Sequence, residues 1–451
     1  MSDELEHVDF GDKRLNRRLL RTAELMAECP AGSVNQSISD WAPKKGAYRL
    51  FSNSKFDAND VMKSHAIKTQ ERMQDRDVVL CLNDTTYMSY TGKDSIKGLG
   101  NIGGSKKNNG DDSGSGFLFH AALALTPEGT PLGIQSFTTW SRSQKKIWDK
   151  ESKRWQDSYF EAKSLYSKNC QMVYVGDREA DQFELMKAIS EGQDSFVIRS
   201  RIDRYIQGPN SYLSWEIARE SKELQGRYEC PHTKKQIPVN VRYGSASFND
   251  PEVSRAKHLN RSDIDSVSVN YVQIEQLEAG KRWLLLTNLE VQDLDSAMRV
   301  MNYYRHRWQI EEFFKVLKGG GLQVEKSALR SIDRLVNHLS LATVISWKIH
   351  YLQKAAREDE QALACEHLRL SEIEALELAN KDKKLGAVNT WTLSYAIKFI
   401  AQMGGFNIRE GKVPGLKTLS IGMVKLVVKA DTVDDMKSAL GLSPDDVLKL
   451  Q

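Results

Sequence analysis

Apolar residues recur along this chain with two different periods, and the changes of period divide it. In "DKRLNRRLLRTAELMAE", Leu15, Leu19, Ala23 and Met26 fall at helical spacing behind Asp12, a residue type suited to an N-cap. A second helix is predicted through "KGAYRLFSNSKFDANDVMKSHAIKTQERM", so residues 1–70 read as a helical domain. From Asp77 the pattern becomes that of strands. "DVVLCLND" is a short apolar run ended by Asp84, "TTYMSY" alternates, and "GFLFHAALALT" and "PLGIQSFTTW" flank the turn "PEGTP". A helix through "IWDKESKRWQDSYFEAKSLYSK", the strand "QMVYVG", the helix "ADQFELMKAIS" and the strand "SFVIRSR" follow. Hairpin-like strands leading into alternating helices and strands imply a mixed α/β sheet.

Residues from about 202 to 290 are rich in strands ("KQIPVNVRYG", "SVSVNYVQIEQL", "KRWLLLTNL"), either additions to the main sheet or an inserted β-domain. Helical spacing returns at Leu294 and holds through "LDSAMRVMNYYRHRWQIEEFFKVLK" and "LRSIDRLVNHLSLATVISWKIHYLQKAARE". Residues 361–451 read as a separate helical bundle, which leaves 71–360 as the central domain. Gly98, Gly100 and Gly103 match the spacing of a dinucleotide fingerprint. The polar "SKKNNGDDSGSG" that follows cannot start the helix such a site needs, so the segment reads as a mobile loop.

Composition narrows the class without naming it. With 451 residues, 40% of them hydrophobic, and no apolar run long enough to span a bilayer, a soluble cytoplasmic protein is expected. Five scattered cysteines, with no CxxC pair, suggest neither a disulfide framework nor a zinc knuckle. The net charge is only +4, from 64 basic and 60 acidic residues, so any nucleic-acid surface must be local. Arg14, Arg17, Arg18 and Arg21 are a local candidate, on one stripe of the first helix. No acid lies between Lys13 and Arg21 to relieve them. The stripe is either a solvated face or a phosphate-binding one.

Three acids carry the chemistry. Asp84 and Asp177 each follow an apolar run, and parallel neighbouring strands would bring both to one edge of the sheet. Asp177 opens the acid-rich "DREADQFE", in which Glu179, Asp181 and Glu184 crowd the same turn. Tyr304, Arg307, Glu311 and Lys318 lie at i, i+3, i+7 and i+14, within about one sixth of the circumference of one helix. Phe313 and Leu317 point elsewhere and leave an apolar side for burial. Three carboxylates together would form an oxygen-ligand site for Mg²⁺ or Mn²⁺.

The pattern Y-x2-R-x3-E-x6-K, with "GDREAD", "NDTTYMSY", "KRWLLLT" and "GAYRLF", resembles the insertion-sequence-four group of bacterial DDE transposases, and within it the transposon-five type. The resemblance spans nearly the whole chain. It implies an α/β, ribonuclease H-like (retroviral integrase-type) catalytic core with a β-rich insertion, flanked by helical N- and C-terminal domains. It implies a catalytic and metal-binding triad of Asp84, Asp177 and Glu311 with two Mg²⁺ ions, Mn²⁺ serving as a substitute. Arg178 would then be a counter-charge, and Glu179 and Asp181 helix-start or supporting groups. The expected DNA contacts are Arg14, Arg17, Arg18 and Arg21 of the first helix, Arg199 and Arg201, which alternate on "FVIRSR" and so face one side of a strand, and Trp283, Tyr304, Arg307, Trp308 and Lys318. Trp283 and Trp308 are core residues by default, and by resemblance Trp283 stacks on a flipped base. The expected function is cut-and-paste transposition of double-stranded DNA by a homodimer bridging two transposon ends, with Trp391–Phe406 as a candidate dimer surface. A metal-dependent nuclease on the same core and an inactive DNA-binding relative are the alternatives.

Overall fold

Alternation along the central strands sends successive side chains into two different cores. Leu80 and Leu82 enter one and Cys81 the other; Val173 and Val175 enter the first, Met172 and Tyr174 the second. The computed structural model describes residues 3–28, 34, 38, 41–93, 95–102, 114–142, 151–164, 170–206, 212–220, 223–229, 235–249, 265–277, 280–320, 322–359, 361–382, 391–407 and 414–440. The helices α1 (Lys13–Glu28), α2 (Trp41–Phe51) and α3 (Ala58–Met73) come first. The helix predicted across residues 45–73 is therefore two, because "SNSKFD" intervenes and the Asp57 side chain caps α3 by accepting from the Asn59 N–H.

The strands β1 (Val78–Ser89), β2 (Gly100–Asn101), β3 (Ser115–Leu125), β4 (Pro131–Trp140), β5 (Gln171–Gly176) and β6 (Ser195–Arg199) build the first half of one ten-stranded sheet. The helices α4 (Arg154–Ser164) and α5 (Phe183–Glu191) pack on one face of it. Beyond α6 (Leu213–Glu220), β7 (Leu224–Glu229), β8 (Gln236–Asn249), β9 (Ser266–Gln276) and β10 (Arg282–Thr287) continue the same sheet, in the order β4-β3-β1-β5-β6-β10-β9-β8-β7. The strand-rich segment at about 202–290 is thus added to the main sheet through antiparallel pairing of β10 with β6. The protein is a mixed α/β molecule with a central mixed sheet, consistent with a ribonuclease H-like core. Gly98, Gly100 and their neighbours are not all loop. Gly100–Asn101 pairs with Ser115–Gly116 and Lys97 bridges to Ser331, while residues 103–113 lie outside the described set.

Two further departures bear on the site. "VVLCLND" and "TTYMS" form a single strand, so Asp84 sits inside β1, paired with Ala121, rather than at a strand end. The long helix expected from Leu294 is three pieces: α7 (Leu294–Arg305), α8 (Trp308–Lys315) and a wide π turn at Val316–Gly320. The helices α9 (Ile332–Glu358), α10 (Leu370–Asp382), α11 (Leu393–Met403) and α12 (Leu416–Leu440) complete the chain. Buried residues of α1 (Leu15, Leu19), of α9 (Leu339, Trp347) and of α11 and α12 (Phe399, Leu419) all belong to the core on the other face of the sheet from α4 and α5. Trp391, Leu393, Ile397, Phe399 and Met403 are buried there, so the apolar side of Trp391–Phe406 is occupied within the chain itself. Among the described residues no helix is long and apolar enough to cross a membrane.

Candidate active site

The register of β1 against β5 sets the positions of the two aspartates. The parallel ladder runs from Val78–Gln171 to Leu82–Val175, and Asp84 and Asp177 each lie two residues beyond that last pair. Asp84 has the parity of Leu80 and Leu82, and Asp177 that of Val173 and Val175. Both therefore belong to the face of the sheet that carries α8. Helix α8 is held on this face by Ile310, Phe313 and Phe314, with the Phe314 ring edge-on to Phe119 of β3 at 5.7 Å. Burying each such side chain contributes about 1.5–3 kcal/mol. That packing turns the opposite flank of α8, with Glu311, toward the aspartates.

Arg307 joins these parts. Its Nη1 donates to Asp84 Oδ2 at 3.1 Å, and its Nη2 donates to Glu311 Oε1. Burial pushes the Asp84 carboxyl up to about 7; Arg307 opposes the shift, while the nearby Asp177 and Glu311 charges add to it. Asp177 and Glu311 thus both act on Asp84, with a single guanidinium between Asp84 and Glu311. Tyr304 is buried on the same flank, its hydroxyl pKa raised by burial and opposed by Arg307 and Arg199. A cavity of about 860 Å³ opens beside the site, lined among others by Asp84, Trp308, Glu311, Lys318 and Leu416. Lys318 donates to the Tyr87 carbonyl and lies 3.9 Å from Glu325. The Lys315 ammonium stands 4.2 Å from the centre of the Trp308 ring.

The chemistry of the donor set suits a hard divalent cation, because clustered carboxylate oxygens carry negative charge that one arginine does not neutralise. The oxygens of the three acids do not all approach within 4.8 Å of one another. Among the described residues only the exposed group Glu6, His7 and Glu71 does so. Arg307 occupies the space between Asp84 and Glu311, and a cation placed there would compete with it for both carboxylates.

The remaining sequence-predicted residues divide. Arg199 pairs with Leu285 across β6 and β10, and Trp283 lies two residues along β10. Both therefore share the face of the triad, Trp283 half-buried beside Tyr228. Arg201 does not alternate with Arg199 on a strand: β6 ends at Arg199, and Arg201 is exposed in a turn tied down by its N–H to Asp181 at 2.7 Å. Arg14, Arg17, Arg18 and Arg21 are exposed on α1, far along the chain from the triad; Arg21 pairs with Glu24 at 3.7 Å. Arg178 is not the cation that holds the acidic turn. Glu179 is met by Arg154, and Asp181 by Arg204 at 2.6 Å. Asp177 caps a short 3₁₀ turn at Arg178–Ala180, and α5 starts only at Phe183. Leu416 at the cavity wall was not foreshadowed, since "PGLKTL" carries no chemical signal.

Comparison with protein families adds two matches. Residues 1–56 match the transposase DNA-binding family, and residues 162–347 match the transposase DDE domain. Both are domains of transposases. The first match includes the arginine stripe of α1, and the second includes Asp177 and Glu311, while Asp84 lies before it. Together they support a DNA transposase with DNA as its partner.

Proposed function

We propose that this protein is a cut-and-paste transposase of the insertion-sequence-four group, acting in the bacterial cytoplasm on the inverted repeats of its own element. The observation that carries the reading is the convergence of Asp84, Asp177 and Glu311 on one face of the sheet, with Arg307 bridging the first and last. The triad would hold two Mg²⁺ ions, or Mn²⁺ in their place, which when bound supply an activated water or hydroxyl and stabilise the leaving oxygen. The chain's own groups do the rest. Arg307 and Lys318 place positive charge beside the scissile phosphate, and Tyr304 and Arg199 bound the site on the β6 side. Trp283 and Trp308 offer ring faces to an unstacked base. A first nick frees a 3′ hydroxyl, which attacks the opposite strand and leaves a hairpin on the transposon end. Hairpin opening restores that hydroxyl for attack on target DNA.

Two ends must be cut and joined together, so the active form is proposed to be a homodimer bridged by DNA, with 1–70 as end-binding domain, 71–360 as catalytic core and 361–451 as a helical C-terminal domain. The test uses the element's own inverted repeats with Mg²⁺ and resolves nicked, hairpin and joined products. Asp84→Ala, Asp177→Ala and Glu311→Ala are each expected to abolish cleavage and leave end binding within a few-fold. Cleavage retained by any of them would remove that residue from the triad. Open ends without hairpin or joined product would make the protein a nuclease on the same core.

A further inference from the structure

The face of the sheet opposite the triad carries a second arginine whose contacts lead to both aspartates. Arg154 opens α4, its side chain 12% exposed, with its guanidinium 5.5 Å from the ring centres of both Trp140 and Trp155. Its Nε donates to Thr85 Oγ1 at 3.0 Å, its Nη1 to the Glu151 carbonyl at 2.6 Å, and its Nη2 to Glu179. Thr85 follows Asp84, and its backbone N–H donates to Asp84 Oδ1 at 2.8 Å. Glu179 stands two residues after Asp177, and its backbone N–H donates to Asp177 Oδ1 at 2.7 Å. The two halves of the arrangement have the same form. Each aspartate is held by a backbone N–H of a residue whose side chain Arg154 holds.

A buried histidine meets the same Thr85 hydroxyl. Thr85 Oγ1 accepts from Arg154 and is hydrogen-bonded to His120 Nδ1, 2.9 Å away. His120 is completely buried, and that burial and the Arg154 charge push its pKa down to about 3, so the ring is neutral. The Thr85 hydroxyl is locked from two sides, and its backbone N–H is aimed by the same lock. A planar fork with several donors can span β1 and the turn after β5 in this way, where a single ammonium cannot.

We propose that Arg154 is a positioning residue that sets the separation of Asp84 and Asp177 from behind the sheet, and so the affinity of the site for divalent cation. This rests on the triad reading above. Arg154 touches neither substrate nor the reacting atoms, and it acts only through Thr85 and Glu179.

The experiment measures Mn²⁺ binding to the full-length protein without DNA, by loss of the free-ion paramagnetic resonance signal, and cleavage of end DNA across a Mg²⁺ titration. Arg154→Gln is expected to weaken Mn²⁺ binding about tenfold, to raise the half-saturating Mg²⁺ by a similar factor and to recover much of its cleavage at high Mg²⁺. Arg154→Lys should fall between the variant and the parent. If Arg154→Gln keeps its fold and binds Mn²⁺ as the parent does, the proposal is overturned. It is equally overturned if cleavage is lowered by the same factor at every Mg²⁺ concentration. Should that variant fail to fold, Thr85→Val and Glu179→Ala each remove one arm of the fork and leave the guanidinium in place. Each is expected to weaken Mn²⁺ binding about threefold, and unchanged binding in both would also overturn the proposal. Asp177→Asn is the separate control: parental Mn²⁺ binding and cleavage there would remove the triad reading itself, whatever Arg154 does.

Discussion

At the scale of single residues, Arg307 has two duties that pull in different directions. It pairs with Asp84 and Glu311 in the fold described, and it supplies positive charge beside the DNA in the proposed reaction. Its removal leaves Asp84 buried and uncompensated, which is costlier than losing an exposed pair. Arg307→Gln is therefore expected to lower stability by about 1–3 kcal/mol in denaturant melts and to lower cleavage at least a hundredfold, with end binding nearly unchanged. A variant that cleaves normally would show that the bridge is not used in the reaction. The register that brings Arg307 and Glu311 together was legible in the sequence because 3.6-residue spacing is a local property. Arg154 was not legible. In "KESKRWQ" it looks like one more charge on a solvated helix, and its partners Thr85 and Glu179 come from elements 69 and 25 residues away.

At the scale of elements, the break between α7 and α8 explains why a spacing argument made for one helix still succeeds. His306 (φ −64°, ψ −19°) and Arg307 (φ −50°, ψ −31°) remain in the right-handed helical region, so side chains keep their angular register across the junction. The sequence could not show the break, because no Gly or Pro marks it. The strand β1 runs past the end expected at Asp84 for the opposite reason: an Asp inside an apolar run is a strong turn signal, yet pairing with β3 carries the strand past it. Another join between elements is chemical. Glu4, in a short N-terminal 3₁₀ turn, accepts from His65 Nδ1 and from both Arg72 Nη atoms, while His65 Nε2 accepts from the Ile134 N–H of β4. The imidazole is therefore neutral, and it links α3 to the sheet. Burial alone would raise the Glu4 carboxyl, but His65 and Arg72 outweigh it and hold it at about 2 against an ordinary 4.5. A depressed carboxyl contributes stability above its unfolded pKa and loses it as pH falls through the folded one. The window is thus about pH 4.5 down to 2, and the contribution at neutral pH is at most about 3 kcal/mol. His65, lowered by burial, has the same sign and lets stability fall once pH drops below its ordinary range. Glu4→Gln is expected to lower the neutral-pH melting temperature and to flatten the loss of stability between pH 4.5 and 2. Parallel acid profiles for the variant and the parent would remove this join from the account.

At the scale of the whole molecule, the helices at the two ends of the chain meet in one core, with Leu15 and Leu19 of α1 in the same buried cluster as Phe399 and Leu419. A chain ending at residue 360 would expose the partners of those side chains. It is expected to melt at lower temperature and to lose end binding together with end pairing, as thermal scans and gel shifts would show. A truncated chain that bound single ends normally would mean that α1 stands without this support. Recognition can be separated from folding more cleanly on the exposed side of α1, where Arg14, Arg17 and Arg18 leave the core untouched. If that side follows the phosphate backbone, each lost contact lowers the slope of log affinity against log salt by about 0.9. Changing all three arginines to alanine is expected to reduce the slope by up to about 2.7 and to weaken end and random DNA alike, because phosphate contacts carry no base information. The melting temperature should stay within a degree or two of the parent, since none of the three side chains is buried. Unchanged salt dependence in filter binding or fluorescence anisotropy would return these arginines to the status of a solvated face and move end recognition elsewhere on the chain.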